Sequence, residues 1–530
     1  MTPRVALIVD HPQRDLAGLV LTAFELCQHG VTCHLVPLNV QDTELGALAP
    51  DFVLLNYLRR YNEPLIRQLA RAGIAYGLLD TEGGVFPSHR EYADMLCTDP
   101  AMLHGASVIC MWGPRLAEAM VQAGAFPAAR VRVTGCPRFD LYAPMWRGVL
   151  EPTAADTRDT APRILINTNY SVVNPRFTTT EQNLRACREV LNWSAETVAD
   201  YTGKETVAIQ ETIAIAQQLA RDFPRCTVVV RPHPHESAEP YERALRGLAN
   251  IEFNLAGQVQ EQILRAVAVV QRSCTTAIES ALCDVPTLSP RWIAAPWEMP
   301  MAEAVSVPCA SYAAMRARVE EMLAGRYEPS AELRAATETV VRDWFHARDG
   351  LAFRRVSDAV LAALADRNAS DDRHAGRHVN PRRCARLLHG LDGPGLAPDA
   401  MQRRRHVDGL SRRVRFAFRL SPDWSFRHMR AVPSERWERS DKRFGTDDVR
   451  AIIARIEGVF AANGWPAEPV SAALGAGGAG GERGGRGGRG YGRFSQRAVT
   501  MWCAQRSESR GAPVHASHSR VAAAAGGRAS

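Results

Sequence analysis

The stretch TVVVRPHPHESAEP at 227–240, followed by VAVVQRSCTTAIESALCDVPTLSP at 267–290, decides how the chain folds. Each half gives an apolar β-branched run, a polar loop and a helix start. That is the order in which a parallel α/β sheet places a ligand site at the carboxyl edge of its strands. Val228, Val229 and Val230 run directly into Arg231, Pro232, His233 and Pro234. The prolines restrict the backbone on either side of His233, so Arg231 and His233 are held in an extended loop, and an Arg with a neighbouring His suits an anion. In the second half, residues 267–270 form the buried run, and Ser273, Cys274, Thr275 and Thr276 lead into a helix expected over 277–282. Hydroxyl residues cap helices, and the free N–H groups there favour a phosphate. Glu279 lies one turn further in.

Taken alone, a Ser/Thr cluster is a plain cap and a His beside Pro is structural. Two such loops on successive strands of one domain, carrying Arg, His, hydroxyls and a carboxylate, point to a nucleotide-phosphate site. RPHP followed some forty residues later by SCTTAIESALCDVPTLSP resembles the donor-binding half of GT-B glycosyltransferases. It is similar to the bacterial surface carbohydrate biosynthesis proteins and, more distantly, to Kdo transferases, polysialyltransferases and CDP-glycerol glycerophosphotransferases. Several of these hold a CMP- or CDP-activated donor with a His-Pro loop and a Ser/Thr-rich helix start. The UDP-GlcNAc 2-epimerases share the architecture, with a Glu on the ribose in the position of Glu279. The resemblance implies that Arg231 and His233 meet donor phosphate, that Ser273, Thr275 and Thr276 cap it, and that Glu279 binds ribose hydroxyls.

A chain of 530 residues is too long for one core and fits two sizeable domains with additional sequence. Its 46% apolar and 23% charged residues are an ordinary globular balance. The formal net charge of +7 is unevenly spread: residues 371–530 carry 29 Lys+Arg against 15 Asp+Glu, which leaves residues 1–370 at −7. An acidic body is a poor nucleic-acid surface, whereas a basic tail leaves open a peripheral contact with anionic lipid. The twelve Cys include no C-x-x-C pair, so they are expected to be reduced thiols in a cytoplasmic protein. The start MTPRVALIVDHP has no signal-peptide pattern, and no window reaches 18 apolar residues, so neither secretion nor a membrane span is expected.

Towards the amino terminus the spacing predicts strands at 5–9, 33–38, 52–55, 74–79, 107–111 and 131–133, with helices between them. That alternation implies a mostly parallel sheet covered on both faces. Asp10 and His11 end the first strand, and the loop DTEGG at 80–84 ends the fourth. Two carboxylates beside glycines that let a sugar approach could supply a general base. The surface carbohydrate proteins look similar at this loop, at the Trp112-Gly113 pair and at GCPRFD (135–140), which favours Glu82 over Asp80 as base, with Asp10 and His11 as rivals.

Residues 141–162 lack a period and read as the interdomain linker, and the first strand of the second domain (163–166) ends in Asn167, Thr168, Asn169 and Tyr170. Asn167 and Asn169 suit sugar hydroxyls at that tip, though they also suit a tight polar turn. After the central motifs, Trp292, Pro296 and Trp297 form an aromatic loop, and amphipathic helices are expected over 312–323, 331–345 and 351–364. The last of these resembles the GT-B ending that crosses back to the first domain.

The expected fold is α/β, with two Rossmann-like doubly wound domains in a GT-B-like pair, a C-terminal helical extension and a disordered tail. The division is 1–145 (acceptor domain), 146–162 (linker), 163–330 (nucleotide-sugar domain), 331–366 (closing helices), 367–470 (basic, partly helical extension) and 471–530 (Gly/Arg/Ala-rich tail, read as low-complexity sequence dispensable beyond Leu474). The expected function is a glycosyltransferase in which a CMP-, CDP- or UDP-linked sugar passes to a surface polysaccharide or lipid-linked glycan. Catalysis would rest on Glu82 and His233, and no metal, cofactor or specific nucleic acid is expected. A CDP-polyol phosphotransferase, a UDP-sugar 2-epimerase and a non-catalytic polysaccharide assembly protein are the alternatives, and the cytoplasm, at the inner face of the membrane or free, is the expected place.

Overall fold

The apolar runs of the sequence become the central strands of two sheets. The structure, a computed structural model, describes residues 2–38, 41–84, 86, 88–150, 161–189, 193–255, 257–371, 444–474 and 498–503. In the first domain β1 (Arg4–Val9), β2 (Thr32–Pro37), β3 (Phe52–Leu55), β4 (Ala75–Leu79), β5 (Val108–Met111) and β6 (Val131–Val133) pair in parallel in the order β2-β1-β3-β4-β5-β6. Alternate residues of β1 serve two cores: Val5, Leu7 and Val9 face one, Ala6 and Ile8 the other. In the second domain β7 (Arg163–Asn167), β8 (Thr227–Arg231), β9 (Ile251–Phe253), β10 (Ala266–Val270), β11 (Thr287–Pro290) and β12 (Val307–Cys309) form an all-parallel sheet in the order β12-β11-β10-β7-β8-β9. The protein is therefore α/β, a GT-B-like pair of doubly wound Rossmann-type domains. Strand order reverses between β1 and β3 and between β7 and β10, and such reversals open a crevice at the strands' carboxyl ends.

After the second domain the chain returns to the first. The helix Ala352–Asp371 packs on Ala17–Gln28 of the first domain, with Phe353, Val356 and Val360 in its core. Asp140 caps this returning helix, accepting the Ala352 and Phe353 amides at 2.9 and 2.6 Å, and burial raises its pKa to about 7. The turn Val341–Phe345 lies so close to Gly113 that a Cβ there would collide with the Trp344 backbone. Only glycine fits that approach.

Two expectations need correction. Trp146, placed in a loose linker, is fully buried: its ring meets Phe353, Phe460 and Trp465 at 5.4, 5.9 and 5.6 Å, and its Nε1 donates to Gly350 O at 2.8 Å. The stretch carried enough aromatic surface to be drawn into a core. The tail is likewise not wholly loose. β13 (Val470–Leu474) and β14 (Val499–Cys503) extend the first sheet, and β14 pairs antiparallel with β2, Val499 opposite Leu35 and Met501 opposite Cys33. Ala498, Val499 and Met501 are completely buried, and the His34 ring shares a 3.0 Å hydrogen bond with Thr500. The strand covers the edge that β2 would otherwise expose. The helix Thr446–Ala462 joins the same core, Phe460 lying 5.1 Å from Phe24. The Gly/Arg-rich segment, the rest of the tail and residues 372–443, where a membrane contact was expected, lie outside the described residues.

Candidate functional site

The carboxyl edges of the two sheets face one another across a cleft of about 410 Å³. On the second domain's wall, β8 delivers Arg231 and His233, both lining it. Arg231 donates to Asn254 O and Oδ1 at 3.3 and 3.2 Å and to Gly257 O at 2.7 Å, and burial lowers its pKa. Enclosure by the cleft walls, with His235, Arg14 and His11 nearby, pushes the His233 pKa below its ordinary value, so the ring is neutral at pH 7. Its Nδ1 accepts the His235 amide at 3.2 Å, which leaves Nε2 as the N–H donor.

Glu236 fixes this loop. Fully buried, it accepts from Thr168 Oγ1 and Tyr241 Oη, both at 2.5 Å, from Tyr170 N at 3.2 Å and from His233 N at 3.3 Å. Burial raises its pKa. The carboxylate thereby ties the tip of β7 to the His-Pro loop of β8. At that tip Asn167 is 6% exposed and lines the cleft, its Nδ2 without a hydrogen-bond partner among the described residues. A buried donor facing a cleft without a partner is a place where a ligand acceptor belongs.

After β10 the chain turns from the strand into the cleft wall. Thr275, Thr276 and Glu279 line the cleft; Ser273 does not. Ser273 takes φ +52, which turns its hydroxyl and amide onto Glu303 Oε1 at 2.8 and 2.9 Å. Asn169 also stays out of the lining and donates to Ser273 O at 3.4 Å. Thr275 stands at the N-cap but makes no side-chain cap bond, so its hydroxyl is not consumed by the seven-residue helix Thr276–Leu282. Glu279 accepts from Tyr142 Oη and from Arg138 Nη2 at 3.4 Å, so residues at the end of the first domain reach the second domain's site.

On the first domain's wall, Asp10, His11 and Glu82 line the cleft, but Asp80 does not. Asp80 is 1% exposed, bound to Arg59 Nη2 at 3.2 Å and Tyr92 Oη at 3.1 Å, and burial raises its pKa. It serves the fold: it orients Arg59, whose other arm donates to Glu82 Oε2 at 2.7 Å. The remaining Glu82 oxygen, Oε1, lies 3.8 Å from Arg14 and makes no hydrogen bond among the described residues. Asp10 accepts from Arg14 Nη2 at 2.5 Å and Tyr57 Oη at 2.9 Å.

Sequence reasoning missed Arg14, Arg138, Tyr142 and Glu236. Arg138 and Tyr142 lie in or just after GCPRFD, so the resemblance carried a signal for them; for Glu236 the signal was its place three residues after His233. Among the described residues no group of three or more His, Cys, Asp or Glu could hold a metal, and no helix is long and apolar enough to cross a membrane.

Beside the site, Glu205 is buried within the helix Ala195–Asp222, accepts the Val173 amide at 2.7 Å, and has its pKa raised to about 7 by burial. A carboxyl with a raised folded pKa favours the protonated folded state, so its contribution is full below pH 4.5 and is lost as pH rises through 7. Glu205→Gln removes the titration. Urea unfolding should show the variant gaining about 1–3 kcal/mol on wild type between pH 4.5 and 8. A pH-independent difference would contradict this.

In sequence comparison no protein-family model and no curated protein matches the chain. Solved structures are similar to it at low identity. A putative UDP-N-acetylglucosamine 2-epimerase from Listeria monocytogenes has 13% identity over 69% of this chain and 98% of its own, with a TM-score of 0.45. The UDP-GlcNAc 2-epimerase of Neisseria meningitidis bound to UDP-GlcNAc has 12% identity over 68% and 100%, with a TM-score of 0.41. The wall teichoic acid polymerase TagF with CDPG has 8% identity over 69% and 90%, with a TM-score of 0.43.

Proposed function

We propose that the protein is a glycosyltransferase that moves a sugar from a nucleotide-activated donor to a hydroxyl of a surface polysaccharide or lipid-linked glycan. One observation carries this reading: a single cleft, at the strand-order reversals of both sheets, gathers Arg231, His233, Thr275, Thr276 and Glu279 on one wall and Asp10, His11 and Glu82 on the facing one. The second domain offers cationic and N–H groups for a phosphate and a carboxylate for ribose hydroxyls. The first offers a carboxylate oxygen towards the space between. An acceptor hydroxyl attacks the anomeric carbon, its proton passes to Glu82 Oε1, and the bond from carbon to phosphate oxygen breaks. Arg231 and the His233 Nε2–H stabilise the charge that develops on the departing phosphate.

Thermal shift with CMP, CDP, UMP and UDP is the first test. A nucleotide at 100 times its Kd adds ~2.7 kcal/mol of stability, and no shift with any of them would leave the non-catalytic assembly role. Product analysis then separates the chemistries: sugar transfer to an acceptor supports the proposal, polyol phosphate transfer or acceptor-free epimerisation overturns it. His233→Ala should weaken nucleotide binding roughly tenfold with unchanged melting of the free protein, because the ring lines the cleft and the one hydrogen bond it makes among the described residues is the 3.2 Å contact its Nδ1 accepts from the His235 amide. Wild-type affinity in the variant would remove His233 from the site.

A further inference from the structure

Arg138 stands out among the cleft's cations. Its side chain is 10% exposed, and its guanidinium lies over the Phe139 and Trp112 rings at 4.4 and 5.5 Å. Among the described residues its only hydrogen bond is the long one from Nη2 to Glu279, and Nε is buried without a partner. Arg14 and Arg59, by contrast, are each bound to two carboxylates at 3.2 Å or less. A guanidinium has five donors in a planar fork, and one so nearly desolvated is satisfied only by an oxyanion that can meet several of them. The open side of Arg138 is the cleft.

Its position is also fixed. The Ala17–Gln28 helix meets the Pro137–Arg138 backbone at Gly18, where a Cβ would lie 2.6 Å from Arg138 N. That contact fixes the Arg138 backbone, and the Phe139 and Trp112 rings flank its guanidinium. Glu279 in turn lies within electrostatic reach of Arg231. Two guanidiniums, one from each domain, thus converge on the space around one carboxylate.

Building on the donor site proposed above, we infer that Arg138 is a phosphate-binding residue contributed by the first domain. It takes one phosphate of a nucleoside diphosphate while Arg231 and His233 take the other. A monophosphate reaches only the second domain's cation; a diphosphate spans both. The donor is accordingly of the CDP- or UDP-linked class, and CMP-linked donors are disfavoured.

Isothermal titration of the full chain with UDP, UMP, CDP and CMP tests this, using wild type, Arg138→Gln and Arg138→Lys. Wild type should prefer a diphosphate to its monophosphate by roughly tenfold or more. Arg138→Gln should abolish that preference while changing monophosphate affinity by less than about threefold, and Arg138→Lys, which keeps the charge but loses the fork, should reduce it at least about threefold. Equal losses for both nucleotide classes, or no diphosphate preference in wild type, would overturn the inference. Failure of wild type to bind any of the four would instead overturn the donor site itself.

Discussion

A chain ending at Leu474 should melt roughly ten degrees below one ending at Cys503, or accumulate as insoluble protein. Composition alone predicts the opposite, because the sequence beyond that point is rich in Gly, Arg and Ala. The pairing of β14 with β2 reverses the expectation. Truncation takes Val499 and Met501, both fully buried, out of the first domain's core. Each such side chain contributes ~1.5–3 kcal/mol. The cut also removes the ladder along residues 33–35 of β2 and the Thr500 partner of the buried His34 ring. A loss of about 5 kcal/mol is a large part of the ~5–15 kcal/mol that keeps an ordinary protein folded. Melting curves of chains ending at 474, 503 and 530 decide the matter. Coincident curves for the first two would show that the strand adds nothing.

Glu236→Ala should cost about 3–5 kcal/mol and weaken nucleotide binding as well. The loss leaves the hydroxyls of Thr168 and Tyr241 and the amides of Tyr170 and His233 without the acceptor they share. Stability suffers because those donors are buried, and binding suffers because the link between the tip of β7 and the His-Pro loop is cut. Glu236→Gln retains one acceptor oxygen but turns two hydrogens towards groups that already donate, so it should recover only part of the stability. Urea unfolding together with UDP titration separates the two effects. A variant with lowered stability and unchanged affinity would restrict Glu236 to the fold.

The strands and crossovers were readable because their signals are local. Val228 to Val230 and the run at 267–270 are apolar on both faces, as strands between two helical layers must be, and the structure places both inside the sheet, neither at an edge. The placement of the His-Pro loop at a strand end was readable for the same reason, since its residues follow β8 directly. Errors came where the deciding partner is distant in sequence. Ser273 faces Glu303, thirty residues on, and nothing in SCTT marks its positive φ. Asp80 looked like a candidate base until Arg59, far outside its own loop, enclosed it. VTMWC at 499–503 reads as an isolated apolar patch, because its mate β2 lies more than 460 residues earlier. Arg138 became visible only once Phe139, Trp112, Gly18 and Glu279 surrounded it.

The two domains are joined by two passages of chain, one leaving the first domain after Asp140 and one returning at Ala352. Asp140 binds both together through the Ala352 and Phe353 amides. A body hung from two straps stitched to each other at one end cannot twist freely; it swings about a single axle. The two domains should therefore open and shut along one arc that brings Arg138 and Arg231 into the same relation on every stroke, and a substitution at Asp140 would loosen aim before it loosened grip.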